Sequence, residues 1–167
     1  MRHGEGVRPA TLAATTAAVT ATAIGGALAT DPRSPWYRHL DKPAWQPPPQ
    51  AFGRVWTALY ADLAVVSARA LTGLQHRDVE RRAFLRALGG NLVLNAGWSW
   101  LFFRAHRPWW AAAESAALTA SSVDLARRAG RVSRGAGRAL LPYPAWCAFA
   151  TALTVALARR NPRHRRR

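Results

Sequence analysis

Several kinds of reactive side chain are scarce in this chain of 167 residues. Cys147 is the only cysteine, so no disulfide can form within the chain, and the paired-cysteine spacings of zinc sites are absent. Lys42 is the only lysine. No nucleophile–base pair, cluster of metal ligands or glycine-rich phosphate loop is recognisable. The sequence therefore gives no support to a disulfide scaffold, a metal-centred enzyme or a phosphate-loop nucleotide-binding protein.

Acidic residues are also few, with eight Asp and Glu against 24 Lys and Arg, and the formal net charge is +16. Such a charge suggests nucleic acid or anionic lipid as a partner. The aromatic residues, however, fall within apolar stretches and not beside the arginines, which is unlike a nucleic-acid-binding surface. We therefore expect no nucleic-acid partner, and a soluble nucleic-acid-binding protein is kept only as a third alternative.

Long uninterrupted hydrophobic runs are missing, and the mean hydropathy is only −0.13. The average conceals five apolar stretches separated by arginine-rich links. Each is long enough to cross a bilayer core of ~30 Å as a helix. They predict a single all-α integral membrane domain over residues 1–167, with a basic tail at 160–167; a soluble helical bundle is the alternative. The predicted spans are Ala10–Ala29, Gln50–Leu71, Val79–Phe103, Pro108–Arg128 and Gly137–Arg159.

The segment from Trp36 to Tyr60 is rich in tryptophan, tyrosine and proline. Proline removes a backbone donor and disfavours helix in the residue before it. Pro43 and Pro47 to Pro49 therefore predict a stiff, extended loop that ends where a helix begins, near Gln50. A loop of this kind, leading into an aromatic helix, is suited to be a lid over an apolar pocket.

Residues at helical spacing predict aromatic and amide-bearing inward faces, which suits a membrane bundle. In the first helix, small residues recur every four positions and predict close approach of another helix. The faces are Gly53, Trp56, Tyr60, Leu63 and Ser67 in the second span; Asn91, Asn95, Trp98 and Phe102 in the third; Trp110, Glu114, Ala117, Ser121 and Asp124 in the fourth; Trp146, Ala150, Leu153 and Thr154 in the fifth; and the small-residue ridge Ala13, Ala17, Ala21, Gly25 and Ala29 in the first.

Two questions of topology stay open at this level. Arg2 and Arg8 before an apolar run that ends at Ala27–Ala29 match a signal peptide, although four further spans favour a retained first helix. The basic residues divide almost equally between the two sides of the bundle, so charge bias does not determine orientation. The arginine-rich tail weakly favours a cytoplasmic C-terminus.

Several ordered blocks of the chain resemble the TspO/MBR family of tryptophan-rich sensory and translocator proteins. The blocks are Trp36-Tyr37, Leu40, Lys42-Pro43, Trp45, Pro47-Pro48, Phe52-Gly53, Val55-Trp56-Thr57, Leu59-Tyr60, Leu94-Asn95, Trp98-Ser99, Phe102-Phe103, His106-Arg107-Pro108, Pro142-Tyr143, Ala145-Trp146, Phe149 to Leu153 and Arg159. The resemblance implies five transmembrane helices, in many members a homodimer, and a pocket closed by the first long loop. It also implies porphyrin, haem or a related tetrapyrrole as ligand, with no obligatory cofactor, in a multi-pass membrane protein. The Arg- and Ala-rich composition, with a single lysine, suggests a GC-rich bacterial genome and hence a bacterial cell membrane.

Candidate ligand-binding residues follow from the resemblance and from the inward faces, because indole rings stack on flat π-systems. The candidates are Tyr37, Pro47, Trp56, Asn91, Asn95, Trp98, Glu114, Trp146 and Ala150. Cations at the pocket mouth, Arg38, His39, Lys42 and Arg54, could pair with propionates or with lipid phosphate. Asp62 is expected to pair with an arginine of a neighbouring helix. The segment Leu153–Arg159 lacks the tyrosine of the proposed sterol motif.

The leading hypothesis is a membrane receptor or carrier for tetrapyrroles, acting in tetrapyrrole handling or stress signalling. The principal alternative is a light-dependent enzyme that degrades porphyrin, in which Trp56 and Trp146 would be the reactive residues. The bland interpretation of the aromatic residues is core packing or anchoring at the membrane interface.

Overall fold

A computed structural model describes residues 6–162, and these residues form an all-helical protein. The N-terminal Arg2 and most of the predicted basic tail at 160–167 lie outside the described residues. The elements in chain order are α1 (Pro9–Ala29), α2 (Pro35–Arg38), α3 (Pro49–Gly73), α4 (Asp78–Ser99), a π-helical turn (Trp100–Arg104), α5 (Pro108–Val132), α6 (Arg134–Ala139) and α7 (Pro142–Arg160).

Proline begins most of these helices. Pro9, Pro35, Pro49, Pro108 and Pro142 each occupy the first helical position of their element. At that position the missing N–H has no intrahelical partner to lose, and the restricted φ is already helical. The start of α4 uses a different device, because its first turn carries two carboxylates that oppose the positive end of the helix dipole. The helix starts are therefore readable from local sequence.

The long helices form a ring with one weak seam. α5 packs most extensively on α7 and then on α4, while α1 joins α4 to α3. Between α3 and α7, which would close the ring, contacts are few. The helices alternate in direction, so that α2 and the tip of the α1–α3 connection lie at the end of the bundle opposite the α3–α4 and α5–α7 links.

Two hydrophobic clusters fill the ring. The larger one, at the middle and at the end with the α3–α4 link, includes Leu63, Phe84, Leu125 and Tyr143. The smaller one lies under the α1–α3 connection and includes Leu40, Phe102, Phe103, Leu153 and Leu157. The smaller cluster is bordered by half-buried aromatic rings, and the larger one is mostly aliphatic. The two ends of the interior therefore differ in chemistry.

The α1–α3 connection differs from the predicted extended loop at its beginning. Trp36 and Tyr37 lie in the helical turn α2, whose start is capped by Ser34: its hydroxyl oxygen accepts a hydrogen bond from the Tyr37 N–H at 3.3 Å. The connection packs on the bundle through aromatic rings. Trp36 stacks on His106 with ring centroids 4.4 Å apart, and Trp45 meets Phe149 edge-on at 5.8 Å.

The basic link predicted between the fourth and fifth spans is almost entirely helical. α5 continues to Val132, and α6 begins at Arg134, with only Ser133 in an extended conformation between them. The predicted fifth span, Gly137–Arg159, is interrupted at Leu140–Leu141, and α7 begins at Pro142. Proline at that position cannot donate the backbone hydrogen bond that would continue α6 into α7.

Most of the predicted small-residue ridge of α1 does not meet another helix of this chain. Ala13, Ala17 and Ala21 are exposed, and Ala29 at the end of the ridge is buried. The buried face otherwise carries Thr15, Val19 and Thr22, and the Thr15 hydroxyl donates to the Ala64 carbonyl of α3 at 2.9 Å. Only the last part of the ridge meets a helix, where the Trp100 indole donates to the Gly25 carbonyl at 3.1 Å. Threonine hydroxyls that bond the backbone fit this contact as well as small apolar side chains do.

Two segments within the described residues are long and apolar enough to cross a membrane, Pro9–Ala29 and Arg134–Arg160. Helices α3, α4 and α5 are of comparable length but carry charged residues along them, including Asp62, Arg86 and Glu114.

Candidate ligand-binding site

A hydrogen-bonded chain of tyrosine and asparagine side chains crosses the middle of the interior. The Tyr60 hydroxyl of α3 donates to Asn95 Oδ1 of α4 at 2.5 Å, and Asn95 Nδ2 donates to the Tyr143 hydroxyl of α7 at 3.0 Å. Tyr143 in turn donates to Asn91 Oδ1 at 2.7 Å, and Asn91 Nδ2 donates to Ser122 Oγ of α5 at 3.1 Å. We call these five residues the tyrosine–asparagine network. It ties four helices together.

Both amides of this network have their hydrogen-bonding groups occupied by protein. Asn91 is fully buried, and its Nδ2 also lies 3.2 Å from Ser121 Oγ. Asn91 and Asn95 were predicted to orient polar edges of a ligand, which would require these bonds to break. Buried polar groups that satisfy one another hold neighbouring helices in register. In this conformation, the amide groups of both asparagines are hydrogen-bonded to other side chains of the protein.

The predicted pocket tryptophans lie on three helices beside the network. Trp56 contacts both of its tyrosines, with ring centroids 5.3 Å from Tyr60 and 6.3 Å from Tyr143. Trp146 lies between Phe52, at 5.8 Å, and Phe149, at 5.1 Å. All of these rings except Tyr143 are half-buried.

Trp98 belongs to the smaller cluster, under the α1–α3 connection. It stacks on Phe102 at 5.1 Å with an interplanar angle of 8°, and it meets Phe103 edge-on at 6.0 Å. The predicted tryptophans thus belong to three sets of packed rings: Trp56 and Trp146 border the larger hydrophobic cluster, and Trp98 borders the smaller one.

Three polar groups beside these rings are buried without a hydrogen-bond partner. They are the indole N–H groups of Trp98 and Trp146 and both carboxyl oxygens of Glu114. We call these three residues the indole–glutamate layer. Leaving a buried donor or acceptor unsatisfied costs about 1–3 kcal/mol. These groups are therefore available to bind a partner that is not part of the folded chain.

The indole–glutamate layer lies on the α1–α3 connection side of the network. Trp98 is three residues beyond Asn95 on α4, and Glu114 is eight residues before Ser122 on the antiparallel α5. These separations are about one and two helical turns, roughly 5 and 12 Å along the helix axes. Trp146 likewise follows Tyr143 toward the same end on α7. The predicted common face of α5 is only partly inward, since Trp110 and Ala117 are exposed while Glu114 is half-buried.

The remaining candidates border the smaller cluster or α7. Tyr37 packs on Phe102 and Phe103, and its hydroxyl accepts a hydrogen bond from Gln46 at 3.1 Å. Burial raises the pKa of the Tyr37 phenol, and the Gln46 bond lowers it by a smaller amount. Pro47 and Ala150 are half-buried.

Neither Lys42, one of the cations predicted at the pocket mouth, nor Asp62 forms an ion pair within 4.0 Å among the described residues. Lys42 Nζ lies 3.3 Å from the Arg38 carbonyl oxygen, 3.2 Å from that of Leu40, and 4.7 Å from the Tyr37 ring centroid. Its ammonium group is therefore already engaged by the α1–α3 connection. The predicted arginine partner of Asp62 is wrong: within residues 6–162 no basic group lies within 4.0 Å of its carboxylate, and Oδ2 is buried without a partner.

Sequence reasoning missed Tyr143 and Ser122 as members of the interior, and it treated Tyr60 as one residue of an inward face. Tyr143 precedes Trp146 by three residues and therefore shares its side of α7. That spacing was an available signal. Nothing in the spacing indicates that the hydroxyl joins two asparagines of another helix. Among residues 6–162, no group of three or more His, Cys, Asp and Glu side chains is placed to hold a metal ion.

Comparison with known proteins identifies the family to which this arrangement belongs. Residues 13–160 match the sequence model of the TspO/MBR family. The chain belongs to the TspO/MBR family. It is 33% identical over 139 residues to the tryptophan-rich protein TspO of Chlorobaculum tepidum, an alignment that covers 83% of this chain and 87% of that protein.

Eukaryotic and archaeal proteins of the same family also resemble this chain. The human translocator protein is 33% identical over 129 residues, with 75% of each chain covered. The tryptophan-rich protein TspO of Archaeoglobus fulgidus is 32% identical over 123 residues, which cover 73% of this chain and 77% of that one. The resemblance predicted from the residue blocks is confirmed. TspO/MBR proteins are membrane proteins, and membership supports in general a membrane receptor of the tetrapyrrole- or sterol-binding kind.

Proposed function

We propose that this TspO/MBR protein is a multi-pass membrane receptor or carrier that binds a tetrapyrrole, such as a porphyrin or haem, in the interior between α3, α4, α5 and α7. In this proposal α1, α3, α4, α5 and α7 are the five membrane spans, and the α1–α3 connection is the lid. Bacterial relatives such as the Chlorobaculum protein favour a bacterial cell membrane. Tyr37, Pro47, Trp56 and Ala150 complete the proposed lining.

The indole–glutamate layer carries the proposal. The indole N–H groups of Trp98 and Trp146 are buried donors without acceptors, and they lie among rings that offer stacking faces. A tetrapyrrole supplies both complements, because it is a wide π-surface that bears carboxylate acceptors. Each aromatic contact adds roughly 0.5–1.5 kcal/mol beyond area burial. A single ligand of this class would satisfy donors that the folded chain leaves unmatched.

Ligand entry requires the rings to separate, since they now pack on one another. Two features of the fold favour this movement. The α1–α3 connection is held by aromatic contacts such as the Trp45–Phe149 pair, in which Trp45 is 50% exposed, and by exposed polar bonds of Asp41 with Asn161 and Arg160 at the end of α7. The seam between α3 and α7 has few contacts, so Trp56 and Trp146 lie on the two neighbouring helices of the ring that pack least on each other.

A binding titration tests this function. Detergent-solubilised protein is titrated with protoporphyrin IX and with haemin, and tryptophan quenching and the Soret band are followed. The double variant Trp56→Phe/Trp146→Phe removes two interior indoles. The matched control, Trp109→Phe/Trp110→Phe, removes two indoles that are 43% and 65% exposed.

We expect saturable, roughly stoichiometric binding by the wild type and by the control, with affinity lowered at least about tenfold in the interior double variant. A loss of about 1.4 kcal/mol of contact energy suffices for that change. Equal affinity in the two double variants would reject the interior site, and no saturable binding by the wild type would reject the ligand class.

A further inference from the structure

A groove lies on the surface between α5 and α6, at the end of the bundle opposite the α1–α3 connection. This groove has a volume of about 510 Å³. Its rim carries Arg127, Arg134 and Arg138, and its apolar part includes Val123, Leu141 and Pro144. The proposed tetrapyrrole site uses none of its residues, although Pro144 of the groove precedes Trp146 of the indole–glutamate layer by only two positions.

Close backbone contact gives the groove its shape. Ser133 is extended between the two helices, so that α6 folds back along the end of α5. A Cβ atom on Gly137 would lie 2.6 Å from the Gly130 Cα and 3.2 Å from the Ala126 carbonyl oxygen. Only a residue without a side chain allows this approach. The shape of the groove is therefore set by backbone packing between α5 and α6. We call the side chains of Val123, Leu141 and Pro144 its apolar floor.

The three rim arginines have no compensating carboxylate. Arg127, Arg134 and Arg138 are exposed, and within the part of the chain that the structure describes none of them lies within 4.0 Å of an acidic group. The carboxylate of Asp124, one turn from Arg127, is occupied by Arg128 at 2.6 Å. The groove thus combines three free cations with an apolar floor.

We propose that this groove binds one anionic phospholipid, with the phosphate between Arg127, Arg134 and Arg138 and the first part of an acyl chain along Val123, Leu141 and Pro144. Guanidinium groups match phosphate oxygens in a planar, bidentate geometry. A free phosphate ion would use the arginines but leave the apolar floor exposed, and Leu141 is already 58% exposed. A lipid covers both surfaces.

The position of the groove fits a headgroup site. It lies where α5 ends and α7 begins, at the end of long helices in a protein of a membrane family. Clusters of basic residues near an anionic membrane surface attract anionic headgroups, with about 1 kcal/mol from each basic residue. The start of α4 lies at the same end of the bundle, where Arg81 and Arg82 are exposed and Arg77 is paired with Glu80.

Native mass spectrometry of the full chain, released from micelles doped with phosphatidylglycerol or with phosphatidylcholine, tests the proposal. The groove variant is Arg127→Gln/Arg134→Gln/Arg138→Gln. Its matched control, Arg81→Gln/Arg82→Gln/Arg86→Gln, removes the same charge from exposed positions of α4. A further variant, Leu141→Gln, keeps all charges and alters only the apolar floor. Thermal unfolding in phosphatidylcholine verifies that each variant is folded.

We expect one tightly retained phosphatidylglycerol in the wild type and in the α4 control. Its affinity should fall roughly 100-fold in the groove variant, from about 1 kcal/mol per arginine, and several-fold in Leu141→Gln. Equal losses in the two triple variants would overturn the proposal in favour of diffuse charge attraction. It would also be overturned if phosphatidylcholine is retained equally, or if inorganic phosphate displaces the lipid while Leu141→Gln changes nothing, because the site would then recognise an ion alone.

Discussion

The tyrosine–asparagine network and the indole–glutamate layer lie in the same interior, roughly one to two helical turns apart, and their buried polar groups differ in whether they have hydrogen-bond partners. In the network, the amides of Asn91 and Asn95 are matched by hydroxyl groups of neighbouring helices. In the layer, the two indole N–H groups and the Glu114 carboxyl have no partner.

We interpret this difference as a division between residues that stabilise the fold, in the network, and residues available for a ligand, in the layer. Matched groups stabilise the folded state and hold four helices in register, so removing one should cost stability. Unmatched groups cost folding free energy and are expected to be retained for what they bind. Substitutions in the two places should therefore change stability with opposite sign, and isosteric exchanges provide the sharpest comparison.

The largest effect is expected from Asn91→Asp. The new side chain has the same shape, but it loses the donor that Asn91 offers to Ser122, and it places a carboxyl group at a fully buried position. We expect the free energy of unfolding to fall by about 1–3 kcal/mol, or by more if the group stays ionised. Reversible unfolding in mixed micelles measures it. A change within experimental error would show that the network contributes little to the fold.

The reverse exchange, Glu114→Gln, should have a smaller effect of the opposite sign. Glutamine preserves the shape and removes a potential charge from an unpartnered, half-buried position. We expect the ligand-free protein to gain up to about 1 kcal/mol, because an unsatisfied neutral amide costs less to bury than a carboxylate. The same unfolding assay applies. If stability falls as it does for Asn91→Asp, then Glu114 has a structural partner and the comparison fails.

The smallest effect is expected from Tyr60→Phe. Its hydroxyl makes one bond of the network, to Asn95, at a half-buried position. Interhelical hydrogen bonds in membrane proteins average only about 0.6 kcal/mol in double-mutant cycles. We expect a loss of that order, with protoporphyrin affinity unchanged within about twofold. A large loss of affinity with normal stability would instead place Tyr60 in the ligand site and would move the boundary between the two regions.

Most of the helical framework was predictable, because its causes are local. Proline at the first helical position marks where α1, α3 and α5 begin, at Pro9, Pro49 and Pro108. The predictions were wrong where the conformation or burial of a residue depends on contacts with another helix. The exposed face of α1 around Ala17 and the turn at Ser133 depend on what the neighbouring helix offers, and helical periodicity does not contain that information.

The candidate site divides in the same way. The inward positions of Trp56, Asn91 and Trp98 followed from spacing and family resemblance, because residues three or four apart share a face. The role of each polar group did not follow. Asparagine at an inward position predicts a hydrogen bond, and whether the partner is protein or ligand depends on which helix lies opposite. The tetrapyrrole itself stays a prediction for the titration to test.

By itself, the sequence determined an all-helical protein, the family, the starts of the first four long helices, and an interior rich in indoles and amides, since all of these depend on local conformational preference, residue type and order along the chain. Only the tertiary structure decided that Tyr143 satisfies Asn91, that Trp98, Trp146 and Glu114 stay unmatched, and that Gly130 and Gly137 bring α6 onto α5 beneath three arginines. Hydrogen-bond satisfaction and backbone approach are properties of pairs of groups distant in sequence, and they exist only once the helices have packed.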